Sequence, residues 1–187
     1  MHFDPTLTTS TAANKAREVR EEADRKVDDV RANNDLTAEA KTRLVNEIRQ
    51  TANARVAELE QEHRAADRAE RERLEQRLFT PPTAYTGSER ITQAISYRDA
   101  LDRARATSID VPMSDLMRDA WRVGDDLLAK AALSVAFDRR DVDSLNTWID
   151  RHPADDTDLN RLVELAWPRN PTQDMVNVLA EGFAFQR

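Results

Sequence analysis

The chain has 187 residues, of which 35 are acidic and 28 basic, and its formal net charge is −7 at pH 7. Three glycines argue against a loop-rich enzyme or a β-sandwich, and zero cysteines exclude disulfides, thiol catalysis and thiolate metal sites. The sequence contains no run of about 18 apolar residues and no apolar core of a signal peptide, so it predicts no membrane partner.

The first region is free of proline from Thr6 to Thr80 and is interrupted once, at Asn33-Asn34-Asp35. Asn tolerates the left-handed conformation that ends many helices, and Thr37 or Asp35 can cap a following helix. Two helices are therefore predicted, each with apolar residues at steps of three and four that share one stripe. This stripe includes Val19, Val27 and Val30 in the first helix and Leu44, Ile48, Val56, Leu59, Leu74 and Leu78 in the second.

The two helices predict an antiparallel, coiled-coil-like hairpin arm over residues 1–80, with a short N-terminal tail. The first helix is about half as long as the second and covers it to about Leu59, at about 1.5 Å per residue. The charged stretch beyond, residues 61–77, is expected to be a solvated rod or a contact surface for another chain. A projecting arm buries little area, so the entropy cost of ordering it favours a protein partner or self-association.

Pro81 and Pro82 begin a stiff connector over residues 81–87, which separates the arm from a compact α-helical domain over residues 88–187. Large apolar residues in that domain predict a bundle of five or six short helices, or a small stack of helical hairpins. The segment Ala120–Ala136 resembles one tetratricopeptide-like unit, although no period of about 34 residues recurs. The predicted N-caps of this region are Ser88, Ser114 and either Thr157 or Asp158, and Thr172 begins the last predicted helix.

Aromatic residues supply further candidates for partner binding. Tryptophan in a small helical domain is ordinarily part of the core, and an interface anchor is the alternative for Trp121 and Trp148. In the N-terminal tail, Phe3 and Leu7 are candidate anchoring residues.

Charge and motifs argue against catalysis and against nucleic acid as a direct partner. Residues 10–79 carry 15 basic and 16 acidic side chains, and residues 88–187 carry 13 and 18, so neither part has the basic excess that binds phosphate backbones. The three histidines lack metal-site spacing, and no phosphate-binding glycine loop or nucleophile elbow occurs. Asp155, Asp156 and Asp158 resemble the start of a calcium loop but lack its glycine and distant Glu, so helix capping is the preferred interpretation. We expect a non-enzymatic protein with no catalytic, cofactor-binding or metal residue.

Three segments carry a family resemblance. The Ala-rich, Arg/Glu-rich stretch Thr8–Leu59 with its Asn-Asn-Asp-Leu-Thr turn, the stretch Ser96–Ala104 and the closing stretch Ala180–Phe185 resemble small proteins from structural-gene modules of actinobacterial phages and prophages. The resemblance implies a structural protein of the virion, associated with the head as a minor or decoration protein and assembled in the host cytoplasm. Its implied partners are the major capsid protein or other virion subunits.

Two alternatives remain open at this point. A capsid-assembly scaffolding protein is also acidic, charged and helical, and composition does not separate it from a retained virion component. A cellular helical adaptor is the other alternative, with an arm that dimerises and a C-terminal groove near Trp121 and Trp148 that binds a peptide.

Overall fold

The computed structural model describes residues 6–81 and 87–167, with side chains from residue 12 onward. Within these ranges the chain forms seven α-helices, one short 3₁₀-helix over Pro153–Asp155, and no strand, which confirms the predicted all-α class. The last predicted helix, beginning at Thr172, lies outside the described residues. The helices are α1 (Thr6–Ala32), α2 (Ala38–Phe79), α3 (Ser88–Ala106), α4 (Met113–Val123), α5 (Asp126–Arg139), α6 (Val142–Arg151) and α7 (Asp156–Ala166).

The described residues divide into two compact units, residues 6–68 and residues 69–81 with 87–167. Helix α2 begins in the first unit and ends in the second. We describe each unit by itself below.

In the first unit, α1 and α2 are separated at the predicted break. The Asn33 side-chain oxygen accepts a hydrogen bond from the backbone N–H two residues later at 2.9 Å, which closes a local turn. Thr37 Oγ1 accepts from the Ala40 N–H at 3.2 Å and thereby caps α2. Lys41 Nζ donates to the carbonyl oxygen of Arg31 at 2.8 Å, satisfying one of the carbonyls that the end of α1 leaves without a helical partner.

In the second unit, α5 is the central helix and contacts α3, α4 and α6. Its buried positions are rich in alanine, which lets neighbouring backbones approach closely, and α3 contributes the equally small, buried Ala100 and Ala104. The larger fully buried side chains of this core are Leu74, Met113, Met117, Leu133, Leu159 and Leu162.

The last turns of α2 belong to this core. Leu74 is 0% exposed and Leu78 is 2% exposed. The ring of Phe79 lies 5.3 Å from that of Phe137, measured between centroids. The expected solvated or partner-contacting rod over residues 61–77 is therefore wrong at Leu74, which the core of the same chain buries. The side chains around it, Arg71, Glu72, Arg73 and Arg77, are exposed as expected.

Two ion pairs join the same turns of α2 to α7. Arg161 Nη2 donates to Glu70 Oε2 at 2.9 Å, and Arg77 pairs with Asp158. The earlier residue of α2, Glu70, pairs with the later residue of α7, Arg161, and the later residue of α2 pairs with the earlier one of α7. The two helices therefore run in opposite directions here. The hydrogen bond from Arg161 lowers the pKa of the Glu70 carboxyl.

The turn between α4 and α5 combines a helix stop and a helix start in two residues. Gly124 has φ 75°, the left-handed conformation that glycine adopts without strain. The next residue, Asp125, donates its N–H to the carbonyl oxygen of Ala120 at 2.9 Å, and its side chain accepts from the Leu128 N–H at 3.0 Å. One residue thus closes α4 and caps α5.

The turn between α5 and α6 repeats this geometry with a non-glycine residue. Arg140 has φ 57°, and the Asp141 N–H donates to the Ala136 carbonyl oxygen at 2.9 Å. Asp141 Oδ1 accepts from the Ser144 N–H at 3.1 Å, so Asp141 caps α6.

Asp141 and Ser144 also complete the N-terminus of α4, about 30 residues earlier in the chain. Asp141 Oδ2 accepts from the Met113 N–H at 3.2 Å and from the Ser144 hydroxyl at 2.5 Å. The Ser144 hydroxyl in turn accepts from the Ser114 N–H at 2.7 Å. These bonds satisfy two N–H groups that the first turn of a helix leaves unpaired, and they place the N-termini of α4 and α6 side by side.

Candidate functional site

The apolar stripe of the first unit is covered unevenly. Ala16, Val27, Val56 and Leu59 are buried. Val19, Val30, Leu44 and Ile48 are half-buried, and so is Val45, beside Leu44. We call Leu44, Val45 and Ile48 the open segment of α2. It is the part of the predicted binding stripe where several large apolar side chains in succession remain partly accessible.

The face of α2 around the stripe is charged, and several of its side chains form ion pairs within the helix. Arg55 donates to Glu58 at 2.8 Å and lies 3.6 Å from Glu62. The hydrogen bond with Glu58 raises the pKa of the Arg55 guanidinium. His63 lies 3.6 Å from Asp67 on the next turn. Such exposed pairs are screened by solvent, so they keep the helix soluble more than they stabilise its position.

The N-terminal anchor candidates Phe3 and Leu7 fall outside the residues whose side chains the structure describes. Phe3 lies outside the described residues, and Leu7 lies in α1 at a position whose side chain is not described.

The two candidate anchors Leu74 and Leu78 are placed in the core of the second unit, as described above. They are therefore inaccessible in this structure, and a partner could reach them only if that core opened.

Trp121 and Trp148 are brought together by the parallel course of α4 and α6. Their ring centroids lie 6.0 Å apart, and the His152 ring stacks on Trp148 at 4.0 Å and 18°. Arg151 places its guanidinium 4.9 Å from the centre of the Trp121 ring, within cation–π distance.

Trp148 is 5% exposed, and its indole N–H donates to Asp155 at 3.0 Å. Both the ring and the polar edge of Trp148 are satisfied inside the unit, while Trp121 keeps partial exposure. The cluster connects α4, α6 and the start of α7, and Trp121, Arg151 and His152 keep surface that another molecule can contact.

Some exposed apolar residues are absent from the predicted binding set. Ile109 is 80% exposed in the loop between α3 and α4, and Val111 and Val142 flank the Met113–Asp141 hydrogen bond. Arg139 fixes the loop by donating to the carbonyl oxygens of Thr107 and Ser108 at 2.6 and 3.2 Å. A signal existed in the sequence, since β-branched apolar residues are unusual in a turn bounded by Ser108 and Pro112.

In residues 6–81 and 87–167, no group of three or more His, Asp or Glu side chains is arranged to hold a metal ion. Over the same ranges, none of the helices combines the length and apolarity that crossing a membrane requires. A shallow depression of about 590 Å³ lies on the polar face of α2, lined by residues such as Glu39, Arg43 and Glu47.

These features define an all-α protein with a compact second unit and a long, charged pair of helices whose apolar stripe is partly open. Comparison of the chain with protein-family models, curated proteins and solved structures finds no match.

Proposed function

We propose that this chain is a non-enzymatic structural protein that docks through its first two helices onto the subunits of a larger assembly. The resemblance of its helical segments to actinobacterial phage proteins indicates a virion, with the head as the place of docking. In this proposal α1 and the first part of α2 form an antiparallel hairpin arm, and the second unit is a small helical bundle that it carries.

The open segment of α2 carries the proposal. Leu44 and Ile48 are one helical turn apart and half-buried, so each retains apolar area that a partner can remove from water. Burial of apolar surface contributes about 25 cal/mol per Å², and full burial of a leucine or isoleucine contributes about 1.5–3 kcal/mol. Covering this segment would offset part of the entropy cost of holding two long helices together.

The second unit also supports the proposal that docking is confined to the first two helices. It has its own core, built from α3 to α7 and the end of α2, and side chains of the unit cap the N-termini of α4, α5 and α6. A body with these properties can remain folded whether or not the arm is engaged.

The aromatic cluster gives less support to the peptide-binding adaptor. Such a groove would have to leave indole faces or edges open, whereas Trp148 is buried and hydrogen-bonded and Trp121 is covered on one side by Arg151.

The proposal is tested by asking whether the chain sediments with virus particles. Particles from a producing culture are banded by density, and the chain is detected by antibody in empty precursor shells and in DNA-filled heads. Presence in filled heads is expected for a retained component, and presence in precursor shells alone would identify a scaffolding protein. Absence from both fractions would refute the virion proposal.

Two matched variants of α2 test the docking surface in the same experiment. Leu44→Asp with Ile48→Asp adds two charges to the open segment and is expected to remove the chain from particles. Ala54→Asp with Ala57→Asp adds the same charge at exposed positions of the same helix and is expected to leave sedimentation unchanged. Equal incorporation of both variants would rule out the open segment as the docking surface.

A further inference from the structure

The open segment lies on the same face of α2 as the residues that pair with α7. Those residues are Glu70 and Arg77. Because a helix turns by about 100° per residue, Ile48 lies about 40° from Glu70 and about 20° from Arg77 around the helix axis. By the same count Val45 lies about 20° from Glu70, and Leu44 lies about 60° from Arg77. One face of α2 therefore carries both the open segment and the contact with α7.

The chain leaves α7 in the direction of the earlier residues of α2. Since α7 is antiparallel to the last turns of α2, its final residue, Ala166, lies on the side of the earlier α2 residues. Trp167 is already extended, with φ −90° and ψ 123°, as expected for a residue that precedes a proline. Another 20 residues follow Trp167 in the sequence.

The length of this remaining chain matches the distance to the open segment. Measured along α2 from Glu70, Ile48 is about 33 Å away, at about 1.5 Å per residue. The rest of α7 after its pair with Glu70, followed by extended residues as far as Pro171, covers about 25 Å. The helix that the sequence predicts from the next residue then places Met175 at about 30 Å and Leu179 at about 36 Å, on either side of Ile48.

The last 20 residues also have an apolar stripe of their own. Met175, Leu179 and Phe183 follow one another at steps of four, and Val176 and Val178 widen the stripe. The same 20 residues carry two basic and two acidic side chains, so they approach α2 without net electrostatic repulsion. Two apolar stripes that each need cover are thus within reach of one another.

We propose that the open segment of α2 is covered, in the free chain, by residues 172–185 of the same chain, and that an assembly partner displaces them on docking. We call these residues the C-terminal segment. The inference rests on the proposed function, because it states how the same docking surface is regulated. A short linker holds a tethered segment at an effective concentration in the mM range, which favours it over a second copy. The cover lowers the apparent affinity for a partner in proportion to the fraction of chains that are open.

The inference is tested by the accessibility of the open segment. The chain has no cysteine, so the thiol of Val45→Cys in the full chain is a unique probe. Its rate of reaction with a maleimide is measured and divided by the rate in urea. Adding Met175→Asp with Leu179→Asp should raise this rate at least about fivefold, because the rate follows the fraction of chains that are open. Far-UV circular dichroism and tryptophan fluorescence check that the variant is folded.

The chain offers matched controls for both sites. Gln173→Asp with Asn177→Asp adds the same charge about 200° around the predicted helix from the apolar pair, and should leave the rate unchanged. A thiol at an exposed position of α2, Ala54→Cys, should react at one rate whichever C-terminal segment is present. A synthetic peptide of residues 172–185 should slow the reaction again in the variant that carries the two apolar-to-Asp substitutions.

Two results would overturn the inference. One is a Val45→Cys rate that Met175→Asp with Leu179→Asp leaves unchanged. The other is a rate that falls as the wild-type segment's chain is concentrated, which would mean that a second copy provides the cover. If the rate responds to the C-terminal segment but the chain is absent from particles, the cover stands and the proposed docking function fails. If the chain sediments with particles and the rate does not respond, docking stands and the cover fails.

Discussion

Among the polar side chains of the second unit, Asp141 is the one whose removal we expect to lower the free energy of unfolding most. One oxygen accepts the Ser144 N–H, and the other accepts the Met113 N–H and the Ser144 hydroxyl. Loss of an N-cap costs about 1 kcal/mol, and a hydrogen bond to a charged group is worth about 1.5–3 kcal/mol. Since the bonds share one carboxylate and do not add fully, we expect Asp141→Ala to lower the free energy of unfolding by about 2–4 kcal/mol.

Asp125 provides a matched control, because it has the same position in the preceding turn. It also follows a left-handed residue and caps the next helix through one N–H, that of Leu128, but it bonds no second helix N-terminus. Asp125→Ala should therefore cost about 1 kcal/mol. Asp125 also lies 3.6 Å from Arg103, in an exposed ion pair that contributes little. The difference between the two variants therefore reports mainly the bonds that Asp141 makes with the Met113 N–H and the Ser144 hydroxyl.

Urea unfolding followed by tryptophan fluorescence measures both variants. All three tryptophans lie at 121, 148 and 167, so the signal reports the second unit alone. With a denaturant slope of about 2 kcal/mol per molar, Asp141→Ala should lower the urea midpoint by about 1–2 M and Asp125→Ala by about 0.5 M. Equal midpoints for the two variants would refute the view that Asp141 stabilises two helices at once.

The same carboxylate makes the stability of the second unit depend on pH. Burial by itself would raise the pKa of Asp141, but the hydrogen bonds from Ser144 and Met113 and the charge of Arg139 outweigh burial and lower it. A lowered folded-state pKa means that the stabilisation is complete above the unfolded value of about 3.9 and is lost as the pH falls through the folded value. The gap between wild type and Asp141→Ala should therefore be constant from about pH 7 to about pH 5 and narrow below about pH 4. A gap that stays constant to about pH 3 would contradict this assignment.

Further substitutions probe the backbone turns and the core. Gly124→Ala should lower the free energy of unfolding by about 1 kcal/mol, because alanine is strained at φ 75°, whereas Arg140→Gly at φ 57° should be neutral or stabilising. Leu74→Ala should cost about 2–5 kcal/mol in the tryptophan-monitored unfolding of the second unit, and a cost below about 1 kcal/mol would mean that the end of α2 is not part of that core. Ala104→Leu should cost about 1–3 kcal/mol because it overfills buried space between α3 and α5, and an unchanged midpoint would show that the space is loose.

Local signals in the sequence located the helix break well and the helix caps poorly. The Asn33-Asn34-Asp35 break and the Thr37 cap are present, since both depend on residues within a few positions of each other. Ser88 and Ser114 are the first and second residues of their helices rather than caps, and no side chain caps either N-terminus locally. The Ser114 N–H is instead satisfied by Ser144, 30 positions away. Patterns among neighbouring residues cannot predict a hydrogen-bond partner that lies 30 positions away.

The burial of the apolar residues of α2 shows the same limit of prediction from local sequence. Leu44 with Ile48 and Leu74 with Leu78 are both apolar pairs four residues apart, flanked by charges on α2. The spacing indicates correctly that each pair lies on one face of a helix, but the first pair is half-buried and the second is buried in the core of the same chain. Spacing thus identifies a face that needs apolar cover, and only the tertiary structure identifies what covers it. Substitutions at the second pair should consequently change unfolding of the isolated chain, whereas polar substitutions at the first should change its association.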